Sequence, residues 1–131
     1  MKKVMAQGTF DILHPGHLYY FEESAKLGEK LVVVIARDSR VKNRKNLCFD
    51  EEERKLMVQS LETVDKAILG SEDNVYSTVE TVNPDVITLG YDQGHSEEKV
   101  KELAEKAVNH EVTVERVGEK KGYSSSSLKD A

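Results

Sequence analysis

Tryptophan is absent from this 131-residue chain, cysteine occurs once, proline twice, and aromatic residues make up only 6%. A lone thiol, Cys48, excludes a disulfide framework, so the fold must rest on a packed core. No apolar run approaches the ~20 residues that cross a bilayer. The longest, residues 31–36, has the length of a buried strand instead. A basic excess is also missing. Nineteen Lys and Arg face 24 Asp and Glu, a net charge of −5, which argues against broad nucleic-acid binding. Residues 1–4 run straight into a strand and leave no room for a signal peptide. With one cysteine, the expected setting is a reducing cytoplasm.

What is present is enough for one domain. Hydrophobic residues make up 38% and charged residues 33%, too apolar for disorder and too polar for a membrane protein. A chain of this length buries roughly two-thirds of its unfolded surface as a single unit, here residues 1–131.

Apolar runs alternate with amphipathic stretches. Residues 4–7 form a short strand, and Gly8-Thr9-Phe10-Asp11 reads as a turn. A helix starts near Pro15 with Leu18, Phe21, Ala25 and Leu27 inward, and Gly28 stops it as a left-handed cap. Residues 31–35 are an apolar β-branched strand covered on both faces, the signature of a parallel sheet. Asp50 caps the next helix with Glu53 completing a capping box, and Leu56, Leu61 and Val64 supply its apolar positions. Residues 66–69 are a strand, 74–82 a helix and 85–89 a strand. Ser96 caps a helix with Val100, Leu103, Ala104 and Ala107 inward, and residues 112–117 alternate as an edge strand. The expected fold is therefore α/β: one Rossmann-like, doubly wound domain with a five-stranded parallel sheet flanked by helices. Ligands in such sheets bind beyond the carboxyl ends of the strands.

The first of those ends carries Gly8-Thr9-Phe10-Asp11-Ile12-Leu13-His14-Pro15-Gly16-His17. Pro15 and Gly16 fall in a first helical turn, whose N–H groups and dipole favour an anion. His14 and His17, three apart, project from one side of that turn and suit hydrogen bonds to phosphate oxygens. A two-histidine metal site and plain capping are the competing readings. The missing G-x-G-x-x-G weighs against a dinucleotide cofactor. Arg37, Arg40, Lys42, Arg44 and Lys45 crowd the stretch after the second strand, as a phosphate-facing loop or a solvated one. Outside these groups the readings are plainer. Cys48 reads as a half-buried structural thiol, His110 as solvated, and Tyr19 and Tyr20 as packing or dimer residues. Glu51, Glu52 and Glu53 read as a dipole-matched helix start, and His95 as a helix-end or substrate neighbour.

The run GTFD-x-x-H-x-G-H resembles the signature of the cytidylyltransferase-like nucleotidyltransferases. The basic stretch, Leu89-Gly90-Tyr91-Asp92 and the Gly122-Tyr123-Ser124-Ser125-Ser126 tail follow in the same order, so the resemblance spans almost the whole chain. It implies that Thr9, Phe10, Pro15 and Gly16 line the nucleotide site and that His14 and His17 bind the triphosphate and stabilise the transition state. Lys42 or Lys45 corresponds to the family's mobile lysine. Asp92 would contact base or ribose, Tyr123 the nucleotide, and Ser124, Ser125 and Ser126 the phosphates. Asp11, Arg54 and Lys121 would be further phosphate or substrate contacts. Mg²⁺ or another divalent cation would accompany the triphosphate, and a homodimer is expected.

Within the superfamily the chain departs from the glycerol-3-phosphate cytidylyltransferases, which it also resembles closely. Their tail arginine is missing, leaving Arg116, Lys120 or Lys121 in its place, and Glu62 stands where an arginine is usual. A lysine is no bidentate fork, so the exchange is not neutral. The Gly90-Tyr91-Asp92-Gln93 and Gly122-Tyr123-Ser124 segments look like the archaeal FAD synthases, which transfer an adenylyl group from ATP to FMN. That transfer is the expected activity. The alternatives are CTP with glycerol 3-phosphate or another polyol phosphate, and a non-catalytic nucleotide-sensing module.

Overall fold

The computed structural model describes residues 2–41, 47–72, 74–91, 94 and 96–118. Five strands alternate with four helices: β1 (Lys3–Gly8), α1 (Pro15–Ala25), β2 (Lys30–Ile35), α2 (Glu51–Gln59), β3 (Lys66–Leu69), α3 (Val75–Val82), β4 (Val86–Leu89), α4 (Glu97–Val108) and β5 (Thr113–Arg116). The sheet order is β3-β2-β1-β4-β5, with every pairing parallel. This is the doubly wound α/β sheet expected, and β5 is an edge strand as its alternation implies. The chain steps outward from β1 to β3, then crosses back to β4, so the strand order reverses between β1 and β4.

Period-two alternation sends successive residues to opposite faces. Val4, Ala6, Leu31, Val33 and Ile35 join Phe21 and Val58 beneath α1 and α2. Met5, Val32, Val34, Ile87 and Leu89 join Val79, Ala104 and Ala107 beneath α3 and α4. Both helical layers therefore draw on the same three inner strands.

β1 pairs with β2 along its whole length but with β4 only at Val4–Val86 and Met5–Ile87. Beyond that point a tyrosine replaces the ladder. The Tyr20 hydroxyl accepts from the Gln7 N–H at 3.3 Å and donates to the Thr88 carbonyl at 2.8 Å. The Thr88 hydroxyl donates to Tyr20 Oη at 3.2 Å, and Ser24 Oγ lies 2.8 Å from Thr88 Oγ1. One helix residue thus satisfies backbone groups of two strands and holds a crevice between them.

Helix starts follow the sequence closely. Asp50 and Glu53 form the reciprocal capping box, while Asn74 and Ser96 cap α3 and α4. Five expectations of packing and capping need correction. Leu18 and Leu56 point outward, Leu56 with 70% of its surface exposed, and the faces are carried by Tyr20, Phe21, Ser24, Arg54 and Val58 instead. Leu103 is on the rim of α4 rather than fully inward. Cys48 is exposed, not half-buried. Gly28 is not the cap of α1, which ends at Ala25 with Lys26 still right-handed. A Cβ at Gly28 would lie 2.7 Å from the Lys2 carbonyl oxygen, so close approach to the start of β1 is what demands glycine there.

Candidate active site at the carboxyl end of the sheet

The turn after β1 is built around one inverted residue. Phe10 has φ of 53°, which turns its ring inward over Gly8, where a Cβ would meet the ring at 2.6 Å. The buried ring packs 4.9 Å from that of Phe21 and edge-on against His17, with centroids 5.3 Å apart at 88°. The Phe10 ring therefore supports a histidine from behind.

His14 is the N-cap of α1 and Pro15 its first residue, the position where a missing N–H costs nothing. His14 Nδ1 accepts from Gly16 N–H at 3.0 Å. The proton of the neutral ring therefore sits on Nε2, as a donor. The His14 and His17 rings stack with centroids 3.8 Å apart. Burial, reinforced by the charge of His14 and opposed by a hydrogen bond with the Ile12 backbone, lowers the His17 pKa from 6.5 to about 4. A neutral His17 stacked on His14 at a helix N-terminus makes a positively poised anion site. His14 does cap the helix through Nδ1, and among the described residues no group of three or more His, Cys, Asp or Glu side chains comes together to hold a metal.

A second wall is braced by Arg54. Its side chain is fully buried. Nη1 donates to the carbonyls of Thr9 and Ala36, both at 2.9 Å, and Nε donates to that of Phe49 at 3.2 Å. Nη2 pairs with Asp38 at 2.5 Å. One side chain thus clamps the turn after β1, the end of β2 and the approach to α2. Asp11, also buried, accepts from the Cys48 and Phe49 N–H groups at 3.0 Å. Both residues therefore frame the site from within the wall.

The basic stretch divides. Arg37 donates to the Gly70 carbonyl at 2.7 Å and pairs with Glu51 and Glu72, while Arg40 donates to the Glu72 carbonyl at 3.0 Å. Those two arginines join the loops after β2 and β3, with residues 38–40 forming a short 3₁₀ turn between them. Glu51, read as a dipole partner, also accepts from the Asp38 N–H at 2.9 Å. Lys42, Arg44 and Lys45 lie outside the described residues, as do Asp92, His95, Lys120, Lys121, Tyr123, Ser124, Ser125 and Ser126. Arg116 reaches the loop after β4, where Nη1 donates to the Gly90 carbonyl at 2.8 Å and the guanidinium pairs with Glu97.

The structure brings Thr9, Phe10, Asp11, His14, Pro15, Gly16, His17 and Arg54 to one end of β1. Sequence reasoning missed Tyr20 as the crevice-holding group and Asp38 as the counter-charge of Arg54. It also missed a cavity of about 420 Å³ under α3 and α4. Only the alternation of β1, which aims Met5 and Gln7 at that side, hinted at the last.

The sequence profile of the Cytidylyltransferase-like family matches residues 5–131. An FAD synthase from Methanohalobium evestigatum is 48% identical over 113 residues, covering 86% of this chain and 75% of the relative. An FAD synthase from Archaeoglobus profundus is 42% identical over 127 residues, 96% of this chain and 82% of the relative. A crystal structure described as the lipopolysaccharide core biosynthesis protein from Thermoplasma volcanium superposes with a TM-score of 0.85 at 45% identity, covering 92% of this chain and 98% of that one.

Proposed function

The chain belongs to the cytidylyltransferase-like family and is a nucleotidyltransferase, and we propose from this that it makes FAD, transferring the adenylyl group of ATP to FMN. The observation that carries the reaction class is the stacked His14–His17 pair at the N-terminus of α1, beside the crevice where strand order reverses. The names of the archaeal relatives supply the acceptor.

In this reading an oxygen of the FMN phosphate attacks the α-phosphorus of ATP. A new phosphoanhydride bond forms, the α–β bond breaks, and pyrophosphate leaves with the electron pair. The nucleophile is already ionised at neutral pH, so positioning and charge stabilisation are what the protein must supply. His14 and His17 donate to the triphosphate oxygens, and the N–H groups following Pro15 add the field of the helix start. Thr9 and the Phe10 backbone line the nucleotide side. Lys42 or Lys45 neutralises phosphate charge, and Lys121 is a further contact. Asp92 and Tyr123 flank base and ribose, while Ser124, Ser125 and Ser126 contact the phosphates. Arg54 and Asp11 hold the turn after β1, which presents Thr9 and Phe10, against the end of β2 and the approach to α2.

A divalent cation, Mg²⁺ in this reading, would be held mainly by the phosphates and would offset their charge. The donor set fits a cation carried by the nucleotide, because the carboxylate nearest the histidine turn, Asp11, is already engaged by two backbone N–H groups. The reading extends to a homodimer in the cytoplasm. No helix among the described residues is long and apolar enough to cross a membrane.

Pyrophosphate release with ATP or CTP against FMN or glycerol 3-phosphate tests the proposal. Turnover with ATP and FMN is expected. Turnover confined to CTP and glycerol 3-phosphate overturns it, and nucleotide binding without turnover in any pairing supports the sensing role instead.

A further inference from the structure

We propose that the cavity beneath α3 and α4 holds the isoalloxazine ring of FMN, so that Val75, Val79, Val100 and Leu103 set acceptor specificity; this rests on the flavin reading above. The cavity, about 420 Å³, is walled by Met5, Gln7 and Ile87 from the sheet and by these four residues from the helices, with Ser96 and Lys99 at the start of α4. That volume falls within the roughly 300–1,000 Å³ typical of small-molecule sites, which are mostly apolar with a few placed polar groups.

Three observations select the occupant. First, the lining is chiefly aliphatic, and burying the hydroxyls of a polyol there would forfeit their hydrogen bonds to water. The benzenoid part of a flat aromatic ring incurs no such loss. Second, the cavity reaches Gln7, the residue before Gly8, so it adjoins the turn that carries the phosphate site. Third, the histidines stand on α1, on the opposite face of the sheet from α3 and α4. Attacking and leaving oxygens lie roughly in line across the reacting phosphorus. With pyrophosphate leaving toward α1, an in-line acceptor arrives from the side of α3 and α4, where this cavity lies.

Two variants test the assignment from opposite walls. Val79→Phe fills the floor, and Leu103→Glu places a carboxylate at a rim position that is already 36% exposed, where folding is little affected. Riboflavin, which carries the ring without the phosphate, is titrated by quenching of its fluorescence. Steady-state KM is measured for FMN and ATP, and circular dichroism checks the fold. Expected is a rise of about tenfold or more in riboflavin Kd and in KM for FMN in both variants, with KM for ATP within about twofold. Unchanged flavin constants in a folded Leu103→Glu protein overturn the assignment and leave the flavin reading standing. A rise in KM for ATP alone assigns the cavity to the adenine and overturns it equally. Absence of FMN turnover in the unsubstituted protein removes the flavin reading itself.

Discussion

The two nitrogens of His14 have separate duties: Nδ1 accepts from Gly16 and fixes the ring, which turns Nε2–H into the donor. His17 differs in being held neutral by burial, with a pKa near 4. Its folded value lies below the 6.5 of the unfolded chain, so the unfolded state takes the proton first. The stability it contributes is complete above about pH 6.5 and is lost as pH falls from there through about 4. A bound triphosphate reverses the preference, because a polyanion favours imidazolium. NMR titration should give a His17 midpoint near 4 in the free protein and a value more than about one unit higher with a non-hydrolysable ATP analogue. A free-protein midpoint near 6.5 would contradict the burial seen here. The pair itself was legible in the sequence because caps, prolines and i,i+3 spacing are local. The inward Phe10 was not, since its positive φ is enforced by the fit of its ring over Gly8. Arg54 was not legible as a buried residue, because its acceptors at Thr9, Ala36 and Asp38 lie in loops distant from it in sequence.

At the scale of elements, the hydroxyls of Tyr20 and Ser24 tie α1 to the sheet, and that of Tyr20 alone reaches both β1 and β4. Tyr20→Phe keeps the ring packing but leaves the Gln7 N–H and the Thr88 carbonyl without that partner. The expected cost is about 1–3 kcal/mol in urea unfolding. KM for both substrates should rise as well, because the crevice between β1 and β4 loses its spacer. A stability loss with unchanged KM would confine Tyr20 to packing. Unlike the order of the strands in the sheet, the succession of strands and helices, the helix N-caps and the edge position of β5 were readable from apolar runs and cap residues. Helix faces were less so. The α2 sequence has its leucine outward and its arginine inward, an inversion that hydrophobicity alone cannot signal. The demand for glycine at position 28 likewise comes from β1, far away in sequence.

For the molecule as a whole, the outward apolar groups of α2 and its approach are the notable surface. Leu56, Met57 and Phe49 are all exposed, an arrangement that marks contact surfaces when the groups are contiguous. If the proposed homodimer uses this surface, Leu56→Glu should convert a species of twice the 14.7 kDa chain mass into one of single mass by light scattering. The folded circular-dichroism spectrum should be retained. A dimer that persists in the variant places the interface elsewhere.

Three of the four groups that Arg54 grips are main-chain carbonyls, those of Thr9, Ala36 and Phe49. A carbonyl is the same whatever side chain its residue bears. Side chains along these loops can therefore be exchanged over generations, to suit a different acceptor or base, without loosening the grip that positions the loops. Only Asp38, which answers the guanidinium with a side chain, is tied to it by residue type. The grip is thus independent of the side chains at Thr9, Ala36 and Phe49.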